Sequence, residues 1–385
     1  MAISNGSGDD DAVTPIESVS NGEMRSSVAE EFSNGMLKRV LGTLDPGYFA
    51  WVMGSGIVSI GMYLLGYIVL SQVILVVTVA AFILLCCAYL IRAIWFWPQF
   101  VQSLREPGTA MAYFTVVAGT DVLAIRLLMT GYQIPTIVLG TFAALVWLAL
   151  TYGLPSFIVV RAHRPIFRDL NGTWLIWVVA TQSLAIVASG LASTTTSIFL
   201  ATMLPAIAVS LWGVGVMLYL ILIVMIFFRL FLVEVTPAEM GPAYWIAMGA
   251  TAISARAAAG ILLLKDPHAH MIINDLRPFL IGLSVVLWAF GTWWIPLLVL
   301  FGLWRYVFRG YSRAYEPRLW SVVFPLGMYT VASYTLGSVT KLSFMVTIAR
   351  VWVWVGGGAW LVVFLLMVGA LIRALRGSIS KSTFR

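Results

Sequence analysis

The chain has 385 residues, of which 61% are hydrophobic and 10% charged, with 16 Trp and a mean hydropathy of +0.96. An ordinary globular domain is roughly 45–50% apolar and about 25% charged, so soluble enzymes, nucleic-acid binders and disordered proteins are excluded and an all-α polytopic membrane protein is expected. The net charge of +7 would suggest nucleic acid in a soluble protein; here it reflects Lys and Arg collected on one side of a bilayer, and no nucleic-acid partner is expected.

Residues 1–45 hold eight acids and three bases and read as a cytoplasmic tail, disordered over 1–27 for want of anything to bury. The first apolar run comes too late for a signal peptide. Val28, Phe32, Met36, Val40 and Leu44 recur every four residues beside Lys38 and Arg39, the pattern of a short interfacial helix. Ten apolar runs follow near 46–67, 70–94, 109–130, 134–160, 172–193, 203–233, 242–264, 275–304, 317–340 and 347–374. Each is long enough to cross a ~30 Å hydrocarbon layer as a helix. Together they predict a transmembrane domain over 46–376 and a C-terminal tail over 377–385.

Cys86 and Cys87 are adjacent in an apolar run and cannot staple distant segments. The loop carrying Asp266, His268, His270 and Asp275 has too few further ligands to predict a metal site. No cofactor is expected, and no catalytic residues. With the N-terminus inside, 17 Lys and Arg fall on the cytoplasmic side and four outside, which predicts cytoplasmic termini. The sequons at Asn5 and Asn171 then face the cytoplasm and are not expected to carry glycans.

The odd-numbered spans resemble one another: WVMGSGIVSIG, VVAGTDVLAIR, WVVATQSLAIV, IAMGATAISAR and FPLGMYTVASY. Anchored on Gly54, Gly119, Ala180, Gly249 and Gly327, the units are 61 to 78 residues apart, one helical hairpin each. Five hairpins around an axis, the small anchors lining it, is the predicted architecture. Three positions before the anchors come Trp51, Val116, Trp177, Ile246 and Phe324, a bulky layer; seven after come Gly61, Arg126, Val187, Arg256 and Tyr334. A charge inside a span is costly and normally faces a partner or a wet path, so Arg126 and Arg256 are expected at one height in an outer vestibule, attracting anions. Asp121 lies two positions past its anchor, in register with Gln182, Thr251 and Tyr329. That rotation turns it away from the axis, into a polar network with the outer helices; a proton-coupling carboxylate is the sharper alternative.

The pieces YFAWVMGSGIVS, FTVVAGTDVLAIR and WSVVFPLGMYTVAS resemble the tellurite-resistance/dicarboxylate transporter family, which includes bacterial tellurite-resistance proteins, malic-acid permeases and plant slow-type anion channels. The resemblance spans residues 40–376. It implies a pore through each subunit of a homotrimer in the plasma membrane, with small anions as substrates: C4-dicarboxylates, tellurite or small inorganic anions. It also implies an aromatic plug on the ninth span, where Trp320, Phe324 and Pro325 match the pattern. An apolar ring across a narrow pore excludes water and forces an anion to shed hydration, and Pro325 favours a kink beside it. The function expected is anion transport through a gated pore. A proton-coupled C4-dicarboxylate carrier using Asp121 is the alternative, and nothing suggests an enzyme: no HExxH, GxSxG or intramembrane carboxylate pair is present.

Overall fold

The computed structural model describes residues 41–161, 169–264, 270–312 and 314–382. Most of the expected interfacial helix at 28–44 and the loop histidine His268 lie outside them.

Among the described residues ten helices are long and apolar enough to span a bilayer. They are α1 (Ala50–Leu64), α2 (Ile68–Trp95), α3 (Phe114–Leu128), α4 (Gln133–Arg161), α5 (Ile176–Ala192), α6 (Ile198–Leu232), α7 (Ile246–Leu262), α8 (His270–Leu303), α9 (Trp320–Thr340) and α10 (Ser343–Ser382). The last helix runs eight residues beyond its apolar span, which ends at Ala374, so much of the predicted C-terminal tail is helical.

Each odd helix packs against the even helix that follows it. The odd helices also touch one another in the cycle α1–α3–α5–α7–α9–α1, a closed inner ring with five outer helices around it. Composition follows this division. The inner spans have mean hydropathies of 1.3–1.8 and bury 72–83% of their most apolar stretch; the outer spans have 1.9–2.9 and bury 17–39%. Lipid demands apolar side chains, whereas a helix enclosed by protein can afford serine and threonine wherever a partner exists.

Every inner span opens with a tight 3₁₀ turn: Pro46–Phe49, Met111–Tyr113, Gly172–Leu175, Pro242–Trp245 and Pro317–Leu319. Proline suits a first turn because its missing N–H would be unpaired there. Asp45 and Asn171 cap two of these turns by accepting from the N–H of Gly47 and Thr173 at 2.7 and 2.8 Å. At the opposite end, Gly66 (φ +87°) and Gly131 (φ +90°) reverse the chain into the outer helices in the left-handed region that glycine reaches without penalty.

Two kinds of fastening recur between neighbouring hairpins. An indole in the outer helix donates to the following inner helix: Trp147 to Thr181 Oγ1 (2.9 Å), Trp212 to the Ser254 carbonyl (3.0 Å), Trp288 to Ser333 Oγ (2.8 Å) and Trp360 to Ser55 Oγ (2.8 Å). Near the ends of outer helices, buried arginines reach the start of the next inner span. Arg92 donates to the Tyr113 hydroxyl, Arg229 to that of Tyr244, each at 3.4 Å, and Arg305 to the Met240 carbonyl and Glu316.

Candidate functional site

Three cavities succeed one another along the inner ring. At the amino ends of the inner helices one is lined by Ala50, Thr115, Ile176 and Ser321, together with Asp45, Thr173, Ala243 and Arg318. The middle one has a volume of about 20 Å³, room for roughly one water. Its lining comes from all five inner helices: Ile57 and Ile60, Asp121, Val122 and Ile125, Ser183 and Ile186, Ile253 and Arg256, and Met328 and Val331. The third, about 260 Å³ toward the carboxyl ends, shares Ile125, Ile186 and Arg256 with the second and adds Leu128, Ser189, Ser193 and Gly260 among others.

One spacing governs these positions. Ile57/Ile60, Val122/Ile125, Ser183/Ile186, Ile253/Arg256 and Met328/Val331 are pairs three residues apart on their helices, so each pair marks the axis-facing side. Ala50, Thr115, Ile176 and Ser321 in the amino-end cavity stand seven before the first member of their pairs, two turns back on the same side. Between the two cavities, four before each pair, that side carries Met53, Ala118, Val179, Gly249 and Phe324. Met53, Ala118, Val179 and Phe324 are fully buried. Phe324 is the bulkiest member, and Gly249 and Ala118 are the smallest.

The other plug residues have different places. Trp320 stacks on Trp51 of α1 with ring centroids 6.2 Å apart and donates through Nε1 to the Tyr315 hydroxyl at 3.3 Å. It belongs to the seam between α1 and α9. Pro325 lies within an unbroken α9, its ring against Gly249.

The small anchors do not line the cavities, contrary to the sequence reading. A Cβ added at Gly54 would stand 3.3 Å from Trp320 and Val323, at Gly119 3.3 Å from the Phe49 carbonyl, at Gly249 2.9 Å from Pro325, and at Gly327 2.8 Å from Ile57. Ala180 is fully buried. The glycines are where inner helices press on one another, and close approach of backbones is what a missing side chain permits.

This shifts the register. The axis-facing pairs equate Gly54, Gly119 and Ala180 with Ala250 and Pro325 rather than with Gly249 and Gly327. One residue is 100° of helix, enough to separate the two arginines. Arg126 is fully buried off the axis. Its Nε donates to Ser59 Oγ at 3.0 Å, its Nη2 to Ser71 Oγ at 2.9 Å, and its guanidinium lies 4.4 Å over the Tyr63 ring. Arg256 lines the middle and carboxyl-end cavities, and its Nη1 is buried with no hydrogen-bond partner. The shared vestibule expected for the pair is therefore corrected: Arg256 lines two cavities of the inner ring, whereas Arg126 faces the α1–α2 hairpin.

Asp121 also differs from expectation, since it lines the middle cavity. Its Oδ2 lies 2.6 Å from Ser183 Oγ, which is 2.8 Å from the Ala180 carbonyl, and its Oδ1 has no partner. The rotation argument measured its angle from anchors that face neighbouring helices, not the axis. Gln182 does tie inner helix to outer, donating from Nε2 to the Trp212 carbonyl at 3.1 Å. Tyr329 shares a hydrogen bond with Thr292 of α8 at 2.8 Å.

Two contributors escaped the sequence reading. Ser183 carried no signal among the many serines of the inner helices. Gly260 leaves room for Arg256: a Cβ there would stand 2.9 Å from both Arg256 Nη1 and Ser189 Oγ. It lies four residues past Arg256, a spacing that places the two on one face. Among the described residues, no three His, Cys, Asp or Glu side chains gather as metal ligands.

The sequence profile of voltage-dependent anion channels matches residues 43–368. An uncharacterized membrane protein of Mycobacterium tuberculosis is 42% identical over 140 residues, 36% of this chain and 70% of its own. An uncharacterized transporter of Methanocaldococcus jannaschii is 28% identical over 175 residues, 45% of this chain and 46% of its own. A sulfite efflux pump of Arthroderma otae is 24% identical over 353 residues, covering 82% of this chain and 89% of the pump.

Proposed function

The chain belongs to the voltage-dependent anion channel family, a membrane transport protein and not an enzyme, and from that premise we propose that it passes small anions along the axis of the inner ring through a gate formed by Phe324. The observation that supports this reading is that buried Phe324 lies three residues past Ser321 of the amino-end cavity and four before Met328 of the middle one, at the register of Met53, Ala118, Val179 and Gly249 on the other inner helices. An apolar layer excludes water, and an anion pays its dehydration there unless the ring moves aside. On the carboxyl side of the layer, Arg256 supplies the positive charge that offsets part of that cost.

Candidate substrates are tellurite, C4-dicarboxylates and small inorganic anions. The sulfite efflux pump among the relatives adds sulfite to the last class. The decisive test is Phe324→Ala in proteoliposomes. Anion conductance should rise at normal expression and insertion; an unchanged conductance in normally inserted protein overturns the gate.

Asp121 in the lining of the middle cavity favours a second reading, a proton-coupled carrier. Such a carrier would move anions in proportion to an imposed pH gradient, whereas a channel current reverses at the Nernst potential of the anion regardless of that gradient. The orientation proposed has both termini in the cytoplasm and the protein in the plasma membrane. Terminal tags should react only from the cytoplasmic side. A homotrimer completes the proposal, and chemical crosslinking in the membrane should stop at three subunits.

A further inference from the structure

We propose that a slot between the outer helices α8 and α10 holds one acyl chain of a membrane phospholipid whose headgroup is negatively charged. The proposal is independent of the anion path and stands or falls apart from it.

The slot has a volume of about 550 Å³. One wall runs from Leu298 to Val307, along the end of α8 and the π-helical turn Trp304–Phe308 that continues it. Trp245 and Val322, near the starts of α7 and α9, and Leu366 of α10 are among the other lining residues. The lining is apolar and aromatic, with Arg305 its one charged side chain. Val299, Leu303 and Val307 are also exposed, so the slot opens where the outer helices meet lipid.

Its dimensions select the occupant. Leu298 to Val307 covers roughly 13 Å of helix axis, close to half of a ~30 Å hydrocarbon layer. The slot therefore runs the depth of one leaflet, on the side of the membrane where the inner helices begin. A methylene takes up about the ~30 Å³ of a water molecule, so the slot has room for roughly eighteen of them. That is a single chain. Apolar walls around a volume of this size are the usual make-up of a ligand site.

Charge selects the headgroup. Arg305 Nη2 is 2.8 Å from Glu316, so its charge is answered within the chain. Arg309, four residues on and exposed, lies with its guanidinium 5.4 Å over the Trp304 ring and makes no ion pair among the described residues. One unmatched cation thus follows directly on the slot wall at the end of the span, and a basic residue at a membrane surface attracts anionic headgroups. Val322 and Phe324 are two residues apart, roughly 200° around α9, so the chain lies against the back of the helix that carries Phe324.

The test is photolabelling of the full chain in mixed micelles by a phosphatidylglycerol with a diazirine in its acyl chain. Label should concentrate on the segment 298–307, about fivefold more than with a phosphatidylcholine of the same chains. Arg309→Gln should bring the two lipids to parity. Gly302 lines the slot with open space where a Cβ would stand, so Gly302→Trp should fill it and abolish the label there. Label spread evenly over the outer helices, equal labelling of the wild type by the two lipids, or undiminished labelling of folded Gly302→Trp overturns the proposal. If Gly302→Trp does not fold, the wild type decides alone: excess unlabelled phosphatidylglycerol should compete the label away, and labelling that does not saturate overturns the site. A Gly302→Trp protein that loses subunits while its labelling stays unchanged would make the slot a contact between copies of the chain, which also overturns it.

Discussion

Arg126 and Arg256 both stand in the carboxyl halves of inner helices, and their surroundings differ. Around Arg126 the α1–α2 hairpin supplies Ser59, Ser71 and the Tyr63 ring, and the two serines also donate to each other's backbone carbonyls at 2.8 and 2.7 Å. Arg256 lines two cavities together with Ile125 and Ile186, beside Ser189 and Gly260, and its Nη1 has no hydrogen-bond partner. One residue type thus both fastens helices and lines a cavity in the same ring. The distinction lies in what surrounds the guanidinium: Arg126 is held by two hydroxyls and a ring face, whereas Arg256 borders two cavities, and each keeps a buried Nη1 without a partner.

The contrast is easiest to break at the fastening. Arg126→Ala empties a fully buried volume and leaves the Tyr63 face and two hydroxyls without their partner, a loss of about 3 kcal/mol. Folded yield in detergent should drop sharply, with flux per folded molecule preserved. A flux defect at normal yield would give Arg126 the role argued for Arg256.

Arg256→Gln should do the reverse. One charge acting at ~8 Å through an effective dielectric near 20 is worth roughly 2 kcal/mol to an anion. Flux at low salt should therefore fall by up to about thirtyfold, and by less at high salt where ions screen the path, while the melting temperature stays close to wild type. A smaller step is Gly260→Ala, whose methyl must displace the Arg256 end group. It should cut flux about threefold in the wild-type background and have no further effect in Arg256→Gln, a non-additivity that a double-mutant cycle measures.

Arg229 supplies a third case, charge against charge. Its Nη2 is 3.2 Å from Glu239, which is 45% exposed. The Thr236 backbone N–H holds the Glu239 carboxyl below the ordinary 4.5, with help from the Thr236 hydroxyl and Arg229. A depressed carboxylate stabilises the fold above its unfolded pKa and loses that contribution as pH falls through the depressed folded value. Glu239→Gln should therefore cost under about 1 kcal/mol at neutral pH, given its exposure. The melting curves of wild type and variant should converge below pH 4.5; a gap that persists in acid would mean that the pair is held by something other than charge.

The ten spans were legible because each outer helix is a long apolar run and each inner one keeps enough hydropathy to register. The fivefold repeat was legible from its small residues, whose spacing is one hairpin. What misled the site reading was the meaning of those residues. Gly54, Gly119 and Gly327 report where a neighbouring segment packs close against the helix, and in α7 and α9 the contact falls one and two residues away from its place in α1 and α3. Neither slip alters the composition of the segment, so no pattern in the sequence betrays it. Phe324 lies between Ser321 and Met328, at −3 and +4, which line two different cavities, a placement that supports the proposed gate. The orientation read for Asp121 failed, because its angle was measured from a contact face.

Ring closure also has a meaning for biogenesis. Trp360 of α10 donates to Ser55 of α1 across 305 residues of sequence, and α9 seals the ring against α1. A chain leaving the ribosome presents α1 first and must wait for nearly the whole protein before that partner exists. Until then the serines and threonines of the early inner helices face an open seam in the bilayer, where polar groups without partners are costly. Chaperoning of half-made rings, and rapid removal of those that stall before α9, is therefore a built-in requirement of making this protein, and nonsense mutations upstream of residue 320 should yield fragments cleared faster than missense variants of the same helices.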